Sequence, residues 1–135
     1  MRVAALALIR RGDELLVERG YDTARGETFY RLLGGTVEFG ELGADSVRRE
    51  LREELGVEAE VGERLAVIEN IFTWEGTLWH EILLVYACSL DDRAVPDGEW
   101  KVPEGDVVHE VCWKRLPDFG LDGERLYPEE LLGLL

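Results

Sequence analysis

At 135 residues, with 46% hydrophobic and 33% charged residues, the chain has the size and composition of one globular domain with a core of its own, spanning 1–135. Its formal net charge of −14 excludes a nucleic acid polymer bound by phosphate neutralisation. No apolar run is long enough to cross a membrane as a helix, so no membrane partner is expected.

In chain order, Arg2–Arg10 reads as a buried strand, and Arg11-Gly12-Asp13 turns it into a second strand at Glu14–Glu18. Arg10 and Arg11 close a short apolar start that lacks a cleavage-like site, so no signal peptide is predicted and the expected compartment is cytoplasmic. Gly20–Glu27 is a polar loop, and Thr28–Leu33 a short strand feeding the paired glycines Gly34 and Gly35. A helical segment follows, with Asp45 or Ser46 as its expected cap and Gly56 as its stop. Glu58–Trp74 and Leu78–Leu90 are strand-rich and joined through Glu75-Gly76, a hairpin signal. Asp91–Asp106 reads as an acidic loop broken by Pro96 and Pro103, and Val107–Lys114 as a strand. Leu116–Gly123 is a turn-rich connector, and Pro128–Leu135 begins with proline and reads as a closing helix. Cys88 and Cys112 are expected as buried reduced thiols, while His80 and His109 show no metal-ligand spacing. Mixed strands with a central and a terminal helix suggest an α/β/α sandwich.

The chemistry concentrates between Gly34 and Val57. At 3.6 residues per turn, Glu50, Glu53 and Glu54 fall on one arc of the helix. Val47, Leu51 and Leu55 form the apolar stripe beside it. Arg49, four residues before Glu53, is placed to pair with it. Three carboxylates on one face raise one another's pKa unless a cation neutralises them. Oxygen donors of this kind suit Mg²⁺, which keeps waters for chemistry. A solvated acidic face is the alternative reading of the helix taken alone. The glycines upstream let the backbone approach another group closely and leave their carbonyls free to act as ligands.

The spacing of Gly35, Glu41, Arg49-Glu50-Leu51, Glu53-Glu54 and Gly56-Val57 resembles the box of the Nudix hydrolase family at every defined position. The hairpin before it, HEILLVY after it and VCWKRLPDF near the end also sit where that family places comparable elements. The resemblance implies a Nudix-type α/β/α sandwich with a mixed β-sheet, and Mg²⁺-dependent attack of water on a phosphoanhydride of a nucleoside triphosphate or nucleoside diphosphate derivative. Mn²⁺ is the expected substitute cation. A ligand-sensing domain of the same family without turnover is the alternative, and an interaction protein with a merely solvated acidic helix a third. Glu50 and Glu54 are implied as metal ligands, with Glu53 a further ligand or water-orienting group and the Gly34 carbonyl a backbone ligand. Glu41 is implied to support the metal shell or loop, and Arg49 to orient a box carboxylate. The general base is implied to be Glu104, in the loop before the last strand, or Glu53. Divalent ions reconcile an acidic protein with an anionic substrate.

The expected partner is a small-molecule nucleotide, and the resemblance is compatible with a homodimer. Base recognition calls for aromatic stacking, for which Tyr30 and Phe72 are candidates beside Phe29 and Trp74. Arg31, next to the box, is the candidate for phosphate oxygens, ahead of Arg19 and Arg25. Glu81 and Glu110 read as strand-face residues. The proline associated with ADP-ribose hydrolases is absent from Ile71-Phe72-Thr73, and Trp74 stands where diadenosine polyphosphate hydrolases carry tyrosine. Leu33 departs from the proline that many relatives place before the paired glycines.

Overall fold

The computed structural model describes residues 1–120 and 124–135. Two hydrophobic stretches start the chain and pair only around their shared turn: β1 (Arg2–Arg11) meets β2 (Glu14–Asp22) through Arg10↔Leu15 and Arg11↔Glu14. Beyond that turn the strands take different neighbours. β1 runs antiparallel to β4 (Leu33–Thr36) and parallel to β6 (Thr77–Ser89), which pairs in turn with β5 (Glu60–Trp74). β2 runs between β3 (Glu27–Arg31) and β8 (Val107–Arg115), and β7 (Glu99–Glu104) lies outside β8. A two-residue strand, β9 (Arg125–Leu126), adds in parallel to β3.

Alternation along β1 explains the layers, since successive side chains point to opposite faces. Ala5, Ala7 and Ile9 pack with Val47 and Leu51 of the single described α-helix, α1 (Gly43–Leu55). Ala4, Leu6 and Leu8 pack on the other face with Leu83, Val85 and Leu131, the last from a short 3₁₀ helix at Glu129–Leu134. The result is an α/β mixed sheet whose helix-bearing face carries the acidic segment. No described helix is long and apolar enough to cross a membrane.

Several boundaries differ from the expected ones. β2 and β3 reach into the Gly20–Glu27 stretch, because Tyr21↔Thr28 and Asp22↔Glu27 continue the ladder. The strand predicted through Leu33 breaks at Leu32, and the paired glycines are themselves strand residues of β4. Neither Asp45 nor Ser46 caps α1, which begins a turn earlier with Leu42 at its N-cap. Gly43 makes that start possible, since a Cβ there would lie 2.4 Å from the Tyr86 hydroxyl. Asp45 instead pairs with Arg48 at 2.8 Å, and the Ser46 hydroxyl points to the Thr36 carbonyl at 3.5 Å. Gly56 does close the helix, left-handed at φ 69° with its N–H on the Arg52 carbonyl.

The acidic stretch Asp91–Asp106, expected as loop, contains β7. Its Trp100 and Val102 pack toward the helix-side core, and Pro103 is tolerated because, among the described residues, only β8 pairs with this strand. The predicted closing helix is the six-residue 3₁₀ helix rather than an α-helix. Residues 121–123 of the predicted connector lie outside the described residues, while Leu116–Asp118 form one 3₁₀ turn. Cys88 and Cys112 are free, half-buried and buried respectively, and burial pushes the Cys88 thiol up to about 11.

At the end opposite the β1–β2 turn, the β5–β6 hairpin reaches across to β2. The Trp74 indole N–H donates to the Tyr21 carbonyl at 3.2 Å, and buried Asp22 accepts the Glu75 N–H at 3.3 Å. The Glu75 carboxylate accepts the Thr23 N–H at 2.6 Å.

Candidate functional site

The site begins where β4 meets α1. A Cβ at Gly34 would lie 2.1 Å from the Ala5 carbonyl oxygen, so only glycine permits this β4–β1 approach. A Cβ at Gly35 would lie 2.4 Å from the Glu50 carboxylate, so the second glycine makes room for that side chain. Glu50 therefore lies against the glycine strand, as its helix face and the spacing require.

Arg49 organises the carboxylates around it. Its Nε and Nη2 donate to the two oxygens of Glu41 at 2.9 and 3.1 Å, a bidentate arrangement. Nη2 also reaches the Thr36 carbonyl at 3.1 Å, and Nη1 reaches Glu50 at 3.0 Å and Glu53 at 3.3 Å. The predicted Arg49–Glu53 pair is present but secondary, and Glu53 is half exposed. Hydrogen bonds from Arg49 hold the Glu41 carboxyl down at about 2, and the Glu38 backbone N–H adds to them. Glu50 is pushed up by burial, against the pull of Arg49, with Glu53 and Glu104 adding repulsion.

Glu54 sits deeper, 6% exposed. Burial, followed by the charges of Glu18, Glu50 and Glu104, raises its carboxyl to about 9, and the pull of Arg31 is the smallest of the five influences. Glu18, Glu104 and Arg31 belong to the strand side of the site. Leu16, Val111 and Trp113 face the helix, so period-2 alternation places Glu18 on β2 and His109 on β8 on the same face. Arg31 stands opposite Glu18 and contacts it at 3.3 Å. Glu104, at the end of β7, shares the side of Trp100 and Val102. Buried Glu18 is also in direct contact with His109 Nδ1.

The structure thus gathers Glu50, Glu54, Glu104 and Arg31, with Glu53, Glu41 and Arg49 on the helix flank, Gly35 against Glu50 and Gly34 next to it against β1. Two other candidates lie elsewhere. Tyr30 is a core residue, 7% exposed, with Phe119 edge-on to its ring and Lys114 over its face, so the ring is already covered. Phe72 stacks on Trp79 and shares the face of Ile68, which belongs to the core layer away from α1. Phe29, two residues from Arg31 on the same face, lies over Gly20. Glu81 is buried between Arg2 and Asn70, and Glu110 pairs with Arg19 at 2.8 Å. Glu18 and His109 were not among the predicted site residues. The signal was a charged side chain in step with Leu16, and a histidine in step with Val111 and Trp113.

As they stand, no three described His, Cys, Asp or Glu side chains close around a metal-sized point. The reason is visible in Arg49, toward which Glu50 and Glu53 both turn. The donor set still fits a hard divalent cation: Glu50 and Glu54 are oxygen donors on one helix face, and Glu54 has more carboxylates than cations around it.

Stability should record that deficit. Glu54 holds its proton in the metal-free fold up to about pH 9, whereas an unfolded glutamate releases it near 4.5. Stability is therefore full below pH 4.5 and falls as pH rises toward 9. Thermal melts of metal-free protein should show Tm decreasing from pH 5 to pH 9. Added Mg²⁺ should raise Tm more at the alkaline end, because binding an ionised carboxylate releases a proton.

Comparison with known proteins agrees with this architecture. The family model described as NUDIX domain matches residues 1–132. The crystal structure of a MutT NUDIX hydrolase from Burkholderia pseudomallei is 28% identical, covering 97% of this chain and 94% of that one, with a TM-score of 0.68. The E. coli ORF135 protein is 26% identical over 99% of this chain and 85% of its own, with a TM-score of 0.59. The MutT protein from Methanosarcina mazei Go1 is 25% identical over 86% of this chain and 78% of its own, at 0.60.

Proposed function

Because the chain belongs to the Nudix hydrolase family, we propose that it is a divalent-cation-dependent pyrophosphohydrolase. Its substrate is a nucleoside triphosphate or nucleoside diphosphate derivative, and water attacks a phosphorus of the phosphoanhydride. The observation that carries this reading is Glu54, buried on the helix with Glu18, Glu50 and Glu104 as its charged neighbours, a setting that pushes its carboxyl up to about 9. A buried acidic cluster with so little counter-charge is unfavourable alone and suited to cations that also hold phosphates.

Glu50 and Glu54 would hold the cation, Mg²⁺ or Mn²⁺, with Glu53 and the Gly34 carbonyl as supporting donors. When bound, the cation supplies neutralisation of the charge that builds on the phosphate oxygens. The rest is positioning, which is most of what phosphoryl transfer asks of a protein. Glu104 faces this cluster from the strand side and accepts the proton of the attacking water. Glu53, turned toward Arg49, is the poorer candidate for that role. Arg31 meets phosphate oxygens, and Phe29 on the same face offers a ring to a base. Glu41 and Arg49 hold the loop and the helix carboxylates in place.

The test is a nucleotide panel with Mg²⁺ and Mn²⁺, with products identified as phosphate or pyrophosphate. Metal-dependent release from at least one nucleotide supports the reading, and inertness toward all of them at saturating metal defeats it. The glycines give a contrasting pair. Gly34→Ala drives a Cβ into the Ala5 carbonyl and should cost about 2 kcal/mol or more in a denaturant titration. Gly35→Ala meets only the movable Glu50 carboxylate, so Tm should hold while hydrolysis falls.

A further inference from the structure

We infer that Glu18 and His109 form a proton-relay arm behind Glu104, holding an acceptor nitrogen ready for the proton that carboxylate takes from water. The inference rests on Glu104 as the water-activating base. Its physical basis is a line of three side chains from three strands. Glu18 on β2 is buried and contacts His109 Nδ1 on β8, and His109 Nε2 faces the Glu104 Oε2 on β7 at 4.0 Å. The imidazole is itself largely enclosed, 16% exposed, so this orientation is held by packing and by Glu18.

An ionised carboxylate only accepts hydrogen bonds, so contact with Glu18 selects the tautomer with the proton on Nδ1. The Nε2 lone pair is then directed at Glu104. In the reaction, the water oxygen forms a bond to phosphorus and its proton passes to Glu104. The bond from phosphorus to the leaving oxygen breaks, and its electron pair departs with the leaving group. Glu104 hands the proton to Nε2, and the imidazolium stands between Glu18 and Glu104 until solvent takes it. Rotation of the half-exposed Glu104 side chain closes the remaining gap. The charged groups around this arm are Glu50 and Glu54 from α1, Arg31 from β3, and the two carboxylates themselves. A histidine retained only for packing would need neither carboxylate.

Two measurements separate this inference from the hydrolase reading. With the best nucleotide of the panel, His109→Leu should lower kcat at least about tenfold with KM within about twofold. His109→Gln, which keeps a polar group near the Nε2 position, should recover part of that loss and guards against misfolding. The double variant Glu104→Gln/His109→Leu should be no slower than Glu104→Gln alone, because the two act in one chain. Multiplying effects, or His109→Leu within twofold of wild type, would overturn the arm. Independently, ring ¹⁵N NMR of the metal-free protein should show His109 as the Nδ1–H tautomer, with signals that move in Glu18→Gln and in Glu104→Gln. His80 is the sole other histidine, so assignment is direct. If wild type hydrolyses nothing, the hydrolase reading fails and the NMR result decides the arm: unmoved signals or an Nε2–H tautomer sink it.

Discussion

Glu54→Gln is expected to reduce kcat on the order of 10³-fold, about 4 kcal/mol of transition-state stabilisation. The same change should make the metal-free protein more stable at pH 8. The two signs follow from one cause. Burial and three neighbouring carboxylates keep the Glu54 carboxyl protonated to about pH 9, so ionising it costs the fold free energy that a neutral amide does not. In the proposed cation site, that ionised carboxylate would be the ligand which glutamine replaces poorly. Single-turnover kinetics and melts with and without Mg²⁺ measure both signs on one sample. A variant that is slow and also less stable without metal would indicate a structural role for Glu54.

Arg49→Leu is expected to lower activity on the order of 10²-fold through misplacement of groups that do not themselves react. Arg49 binds Glu41 through two nitrogens, and also reaches Glu50, Glu53 and the Thr36 carbonyl. Removing it frees the loop from the helix and leaves Glu50 turned toward nothing positive. Arg49→Lys keeps the charge but loses the fork, so its rate should fall between the two. Acid melts provide a second readout. Glu41, held down at about 2, contributes stability that is full above its ordinary 4.5 and lost as pH falls toward 2. In Arg49→Leu that acid-side decline should flatten, because the largest influence holding Glu41 down is gone. Raised Mg²⁺ should restore part of the rate if the misplaced carboxylates are metal ligands.

What could be read from the chain alone was local. Gly56 ended α1, Glu75-Gly76 turned the β5–β6 hairpin, and Val47 and Leu51 were buried as their stripe required. Each of these depends on neighbours within a few residues. The start of α1 was misplaced because Gly43 answers to Tyr86, far away in sequence. β7 was hidden because Pro103 reads as a breaker unless its strand is known to be an edge. The site divides the same way. The helix contributed Glu50, Glu53 and Glu54 through its spacing and Arg31 stood next to the box, whereas Glu18 and His109 join them only after β2, β3 and β8 align. Tyr30 was drawn to the ligand by its ring chemistry, but strand alternation turned it into the core.

The clasp between the β5–β6 tip and β2 has a mechanical consequence. The strand ladders started by β1 and β2 are joined at the turn and fastened again at the far end, through Trp74, Glu75, Asp22 and Thr23. A body pinned at both extremities resists being pried apart like a book. The two ladders therefore keep one spacing along the side that carries the acidic helix.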